Sequence, residues 1–281
     1  MSDAAVHVRS AKVTAQTVAG HDRCIPEEVP VAFVYDGATY AVMMASPSDL
    51  KDFAVGFSLT EGIVASADEI QGLDIVRQSN GIELRMWLTH GRGRELVHRR
   101  RRLAGPTGCG LCGIESLEAA APQCPRVSST LVASPRDIAA ALAALAPAQM
   151  LHQRTRAVHG AGFWSREKGL IALAEDVGRH NALDKLLGGL HGRQINPTSG
   201  VVLLTSRVSV EMVQKASVSG APVIVAVSAP TALALKTADE AGITLIAVAR
   251  ADGFEVFTHP HRIEGLERET PQRKDMVEHA A

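Results

Sequence analysis

From residue 201 onward the chain alternates short apolar runs with amphipathic ones. Residues 201–205, 222–227 and 244–249 read as buried strands; residues 209–218 and 231–241 read as helices. Strand, helix, strand, helix, strand with short connections requires parallel pairing through right-handed crossovers. In such a sheet the turns after successive strands gather at one carboxyl edge, where ligands bind. Those turns are Thr205-Ser206-Arg207, Ser228-Ala229-Pro230 and Arg250-Ala251-Asp252-Gly253. They bring hydroxyls, arginines and helix starts together, which suits an anionic, phosphate-bearing ligand.

Upstream of that pattern, residues 157–164 and 169–174 read as paired strands, followed by a helix near 181–190. Ser134-Pro135 starts an alanine-rich helix running to about residue 145. Nearer the N-terminus, Asp36-Gly37 between apolar runs is a hairpin signal. A helix follows Ser46-Pro47-Ser48-Asp49, and strands are expected at 73–77 and 82–88. The expected organisation is a solvated lead-in (residues 1–28), a small α+β domain ending in a cysteine-bearing loop (29–125), an α/β ligand-binding domain (126–265) and a flexible tail (266–281).

Composition excludes several classes. Of 281 residues, 46% are hydrophobic, enough for a packed core, and the formal net charge of −1 argues against a surface built for nucleic acid. No apolar run is long enough to span a bilayer, and the first 23 residues lack the apolar stretch of a secretory signal. A cytoplasmic location is therefore expected. Four cysteines (Cys24, Cys109, Cys112 and Cys124) are too few for a disulfide scaffold at this length. Cys24 and Cys124 are read as ordinary residues.

The most unusual stretch is Thr107-Gly108-Cys109-Gly110-Leu111-Cys112-Gly113, preceded by the basic run Arg99 to Arg102. It formally fits a dinucleotide fingerprint, but that motif needs an apolar strand before it and a helix after it. A structural zinc site wants four ligands, and only one C-x-x-C pair exists. A redox dithiol belongs at a strand-to-helix junction, which this half of the chain lacks. A sulfur-carrying thiol needs an accessible, largely ionised cysteine on a pliable backbone; glycines provide the freedom and nearby arginines favour the thiolate. Composition alone does not choose between sulfur carriage and a redox pair.

A second polar block runs from Glu175 to Lys185, E-D-V-G-R-H-N-A-L-D-K. One reading is a loop plus a solvated helix face capped by Asn181. The other is a site wall in which Glu175, Asp176, Arg179 and His180 converge on a ligand, His180 being a proton-transfer candidate. His159 is read in the same two ways.

These blocks together resemble the formate dehydrogenase accessory sulfurtransferases, the FdhD/NarQ family. The similarity also takes in Phe57 to Ile63, Glu211 to Lys215, Val227 to Thr231 and Thr258 to Arg262, so it spans roughly residues 30 to 263. The resemblance implies a sulfur carrier that takes persulfide sulfur from a cysteine desulfurase. It passes the sulfur to the bis-molybdopterin guanine dinucleotide molybdenum cofactor destined for formate dehydrogenase. It implies a cytidine deaminase-like three-layer α/β fold with a smaller N-terminal α+β domain, and a homodimer. The persulfide falls on Cys109, with Cys112 its companion. Cofactor binding falls on Val248, Ala249, Arg250, Ala251, Asp252 and Gly253, and the guanine nucleotide ends are expected near these and near Ser206, Arg207 and Ser228. Val210 stands where relatives often have Tyr, and the turn at Val248–Ala249 lacks a Cys seen in others. Zinc deaminase activity is not expected, since the pairing of H-x-E with P-C-x-x-C is missing. The rival reading is a non-covalent cofactor-binding chaperone for formate dehydrogenase, in which the cysteines only shape their loop.

Overall fold

The computed structural model describes residues 4–89 and 124–266. Element numbers below run through these residues in chain order.

The C-terminal half is a six-stranded mixed sheet. It contains β7 (His159–Ser165), β8 (Gly169–Asp176), β9 (Val201–Leu204), β10 (Val223–Ala226), β11 (Thr244–Arg250) and β12 (Gly253–Val256), in spatial order β12-β11-β10-β9-β7-β8. The expected alternation holds: β9, β10 and β11 are parallel, joined by α5 (Val210–Ser219) and α6 (Ala232–Ala241). β7 runs antiparallel to both β8 and β9.

The sheet is covered on both faces because its parallel strands are apolar on both. Val202, Leu204, Ile224, Ala226 and Leu245 join a core with α4 (Arg179–Gly192), α5 and α6. The alternate residues Val201, Leu203, Val223, Val225 and Ile246 pack under α2 (Pro135–Ala148) through Ile138, Ala141 and Leu145. Period-two side-chain alternation thus builds three layers from strands that read as continuous hydrophobic runs. α2 begins as its sequence requires. Ser134 and Asp137 form a reciprocal capping box, with Pro135 in the first turn.

The N-terminal half contributes a second sheet, ordered β4-β3-β6-β5, from β3 (Val29–Tyr35), β4 (Ala38–Ala45), β5 (Ile70–Gln78) and β6 (Gly81–Leu88). Asp36 and Gly37 both take positive φ (49° and 81°), the two-residue turn that matches strand twist. α1 (Leu50–Thr60) buries Phe53 and Phe57 against Phe33 of this sheet. Its other side lies on α4. A Cβ added at Gly56 would sit 1.8 Å from the Asp184 carbonyl oxygen, and one at Gly188 would sit 1.9 Å from that of Asp52. The two helices cross backbone to backbone. Residues 181–190 of α4 are buried without a break because the sheet covers one side of the helix and α1 the other.

The expected solvated lead-in is instead structured. β1 (Ala5–Val13) and β2 (Val18–Pro26) pair in register from Ala5↔Pro26 to Val13↔Val18. At the base of this ribbon, Ala5 and Cys24 pack against Leu151 and Val158, Leu151 belonging to the short helix α3 (Met150–Thr155). A polar or small residue follows nearly every valine here, so the segment lacks the hydrophobic weight of a core strand while keeping its period of two. Residues 90–123, which include the cysteine loop, and 267–281 lie outside the described residues.

Candidate functional site

The turns after β9, β10 and β11 lie side by side. Val227 N–H donates to the Leu204 carbonyl, Val208 N–H to that of Ala229, Thr231 N–H to that of Val208, and Val248 N–H to that of Ser228. The edge picked out from sequence is therefore one hydrogen-bonded rim. On it Ser206 is buried, its hydroxyl donating to the Arg207 carbonyl at 3.1 Å, while Arg207 itself is exposed. Arg250 is exposed and folds back onto the Ala249 carbonyl (3.0 Å) and the Val227 carbonyl. Ala251, Asp252 and Gly253 form the exposed turn into β12. Val248 has φ 52°, the left-handed region, beside a register shift between Ala247 and Arg250. A β-branched residue held there stores about 1–3 kcal/mol of strain. The shift also reorients the last strand residues, placing Ala249 under α2 and leaving Arg250 at the rim.

The Glu175–Lys185 block divides by function. Asp176 is fully buried and accepts four donors. Oδ2 takes Lys185 Nζ (2.6 Å) and Ser46 N–H (3.0 Å); Oδ1 takes Gly178 N–H (2.7 Å) and Asn181 Nδ2 (2.9 Å). Lys185 also donates to the Ser46 carbonyl, and Asn181 to that of Met44. A buried charge with every lone pair used is a structural hub. It ties β8 and α4 to the loop before α1. Asp184, inside α4, ties that helix to the end of α1 and to α5: it accepts Thr60 Oγ1 (2.7 Å) and the buried Lys215 Nζ, which also reaches Glu61 at 2.7 Å. Burial pushes the Asp184 carboxyl up to about 6, with Lys215 and Thr60 pulling it back. Burial works against the charge on Lys215, but Asp184 and Glu61 more than offset it and raise its pKa. Glu175 accepts the Leu151 and His152 N–H groups, both at 2.8 Å, and so caps α3. Asn181, expected to cap α4, is inside the helix with its side chain committed to Asp176 and Met44.

What remains is a small cluster where α4 and α5 begin. Arg179 and His180 occupy the first turn of α4, whose N-cap is Gly178. Ser209 is the N-cap of α5, without a side-chain cap bond, and Glu211 lies in the first turn. Arg179 Nε, His180 Nε2, Ser209 Oγ and Glu211 Oε2 are shielded from solvent and have no hydrogen-bond partner of acceptable geometry among the described residues. His180 Nε2 is 3.9 Å from Glu211 Oε2, too long for a hydrogen bond. Burial first, then the charges on Arg179 and Lys215, lower the imidazole to about 4, so it is neutral at physiological pH. His159, which pairs with Asp176 where β7 begins, is likewise lowered by burial and by Arg179. Sequence reading singled out Arg179, His180 and His159. It gave no site role to Ser209 or Glu211, although the resemblance takes in Glu211 to Lys215.

Of the cysteines, Cys109 and Cys112 lie outside the described residues. Cys24 is half-buried at the ribbon base, and Cys124 is half-buried against the main core with its thiol pushed up by burial. No helix among the described residues is long and apolar enough to cross a membrane.

Fold and rim together describe a mixed α/β protein whose parallel strands end on one hydrogen-bonded rim. A family model for the FdhD/NarQ family matches residues 26–264. Similar curated proteins include the sulfur carrier protein FdhD of Agrobacterium fabrum, 55% identical over 88% of this chain and 92% of that one. The protein of the same name from Bordetella petrii is 44% identical over 93% and 94%. A crystal structure of a candidate formate dehydrogenase accessory protein from Desulfotalea psychrophila superposes with a TM-score of 0.71. It is 25% identical and covers 92% of this chain and 99% of that one. The chain belongs to the FdhD/NarQ family.

Proposed function

We propose that this protein carries sulfur on Cys109 and delivers it to a molybdenum cofactor required by formate dehydrogenase. The observation that carries the reading is family membership with the Thr107–Gly113 cysteine loop intact. The two described cysteines support it by elimination: Cys124 is made a weaker acid by burial, and Cys24 packs against Ala5, Leu151 and Val158. Neither suits a thiolate nucleophile.

In the loading step the Cys109 thiolate attacks the outer sulfur of a persulfide on a cysteine desulfurase. A new S–S bond forms to Cys109, the desulfurase cysteine leaves as its thiolate, and no net oxidation occurs. Cys112 is the companion thiol of this site. The acceptor is the bis-molybdopterin guanine dinucleotide cofactor. Its guanine nucleotide ends lie along the rim at Ser206, Arg207, Ser228 and Val248 to Gly253, where the exposed Arg207 and Arg250 supply charge for phosphates. The deaminase-like reading of the fold is supported by the strand order, in which β7 runs against the parallel strands. A cytoplasmic homodimer serving formate dehydrogenase completes the reading.

Incubation of the protein with a desulfurase and cysteine is expected to add about 32 Da, one sulfur, to the Cys109 peptide, as a reactive thiolate requires. No adduct, or an adduct that survives Cys109→Ala, would refute the loading step.

A further inference from the structure

Two exposed surfaces of this chain are complementary to each other, and both lie away from the rim. The first is the β1–β2 ribbon. Beyond its base every residue from 9 to 23 is exposed, and Val13 and Val18, opposite one another near the tip, are 67% and 74% exposed. A lone two-stranded ribbon is marginal in water, so a ribbon of this length calls for a surface to lie on. Gly20 stands opposite Ala11, which thins the ribbon at that rung. Beside it Arg9, Ser10, Gly20, His21 and Asp22 line a hollow of about 320 Å³. A Cβ built at Gly20 meets nothing within 4 Å among the described residues.

The second surface is the side of the β4-β3-β6-β5 sheet that faces away from α1. Ile82, Leu84, Met86 and Leu88 of β6 join the core under α1, so alternation turns Glu83, Arg85 and Trp87 outward. Trp87 is 43% exposed there. Val42 and Met44 of the edge strand β4, 56% and 49% exposed, share this side because Ala41 and Met43 point to the core. Each surface also carries one acid–base pair set directly across two strands: Arg9 opposite Asp22 on the ribbon, Arg85 opposite Asp74 on the sheet. Laid against each other, each pair presents the charge that the other lacks.

We propose that the ribbon of one copy lies on the outer sheet face of a second copy, with the Trp87 indole seated in the ribbon's hollow. The Arg9 guanidinium lies over the indole face, the Asp22 carboxylate accepts the indole N–H, and the tip valines add apolar cover. The contact joins two different patches. Reciprocal exchange about a two-fold axis closes it as a dimer; a one-way contact would grow a filament. The inference rests on the homodimer reading given above and names the surfaces that form it.

The test is sedimentation of the full chain, comparing wild type with Gly20→Glu and Trp87→Glu. Gly20 has open space and Trp87 is at the surface, so both variants are expected to fold, which circular dichroism checks. Wild type should sediment at twice the 29.7 kDa of one chain. Each substitution removes an anchor from both copies of the contact and should raise the dimer Kd about hundredfold or more. An equimolar mixture of the two variants should recover part of the dimer. There the Gly20→Glu chain supplies an intact indole and the Trp87→Glu chain an intact hollow, so one of the two contacts re-forms. A monomeric wild type would remove the homodimer and the proposal with it. A dimer that withstands both substitutions, or a mixture no more associated than its components, would overturn the ribbon contact and leave the homodimer standing. Sulfur loading of Cys109, measured on the same samples, reports on the carrier reading independently.

Discussion

Residues side by side in the Glu175–Lys185 block have opposite fates. Asp176, Asn181 and Lys185 are spent on one buried network, whereas Arg179 Nε and His180 Nε2 have no hydrogen-bond partner among the described residues. Local pattern cannot separate the two sets, because what decides is Ser46, 130 positions before Asp176, and Thr60, 124 before Asp184. His180 offers a measurable consequence. Its folded pKa of about 4 lies below the ordinary 6.5, so between those values the unfolded chain binds the extra proton and stability falls as pH drops. Asp184 acts oppositely. Its folded value near 6 exceeds the ordinary 3.8, so its contribution grows as pH falls through 6. Removing His180 isolates its share. In urea titrations, His180→Gln should gain stability relative to wild type between pH 7 and pH 4.5, by about 1–3 kcal/mol. A difference independent of pH would show that the imidazole is not held neutral by the fold.

At the scale of elements, hydrophobic period placed every strand and helix of the βαβαβ segment within a residue or two. Turn chemistry placed the Asp36-Gly37 hairpin and the Ser134-Pro135 helix start. The β1–β2 ribbon escaped because little of it is buried beyond Ala5, so its alternation carries no apolar weight. The α1–α4 crossing escaped because glycine inside a helix reads as a weakness, whereas here Gly56 and Gly188 are what lets two backbones touch. Two substitutions in one helix separate these roles. Gly188→Ala must push Asp52 and α1 away and should cost more than about 3 kcal/mol in denaturant unfolding, beyond the propensity gain of about 1 kcal/mol. Gly192→Ala meets nothing within 4 Å and should be neutral or mildly stabilising. Equal effects at the two positions would mean that the crossing is looser than described.

For the whole molecule, the three-layer half supplies the rim, and the smaller half is bound to it by α1 and by the Asp176–Lys185 and Asp184–Lys215 networks. The rim was legible from sequence because parallel connectivity dictates where strand-end turns must gather. Its chemistry was only partly so: the strain at Val248, and Glu211 Oε2 shielded without a hydrogen-bond partner among the described residues, arise from how distant turns meet. The family resemblance read from the cysteine loop and the Glu175–Lys185 block is matched by relatives covering nearly the whole chain. The central claim is that Cys109 itself moves sulfur. Its most direct test is complementation of a strain lacking its own sulfur carrier, with formate dehydrogenase activity as the readout and wild type beside Cys109→Ser. The account predicts that Cys109→Ser restores no activity although the protein accumulates and still binds GDP. Full activity from Cys109→Ser would contradict it and leave a non-covalent cofactor chaperone in its place.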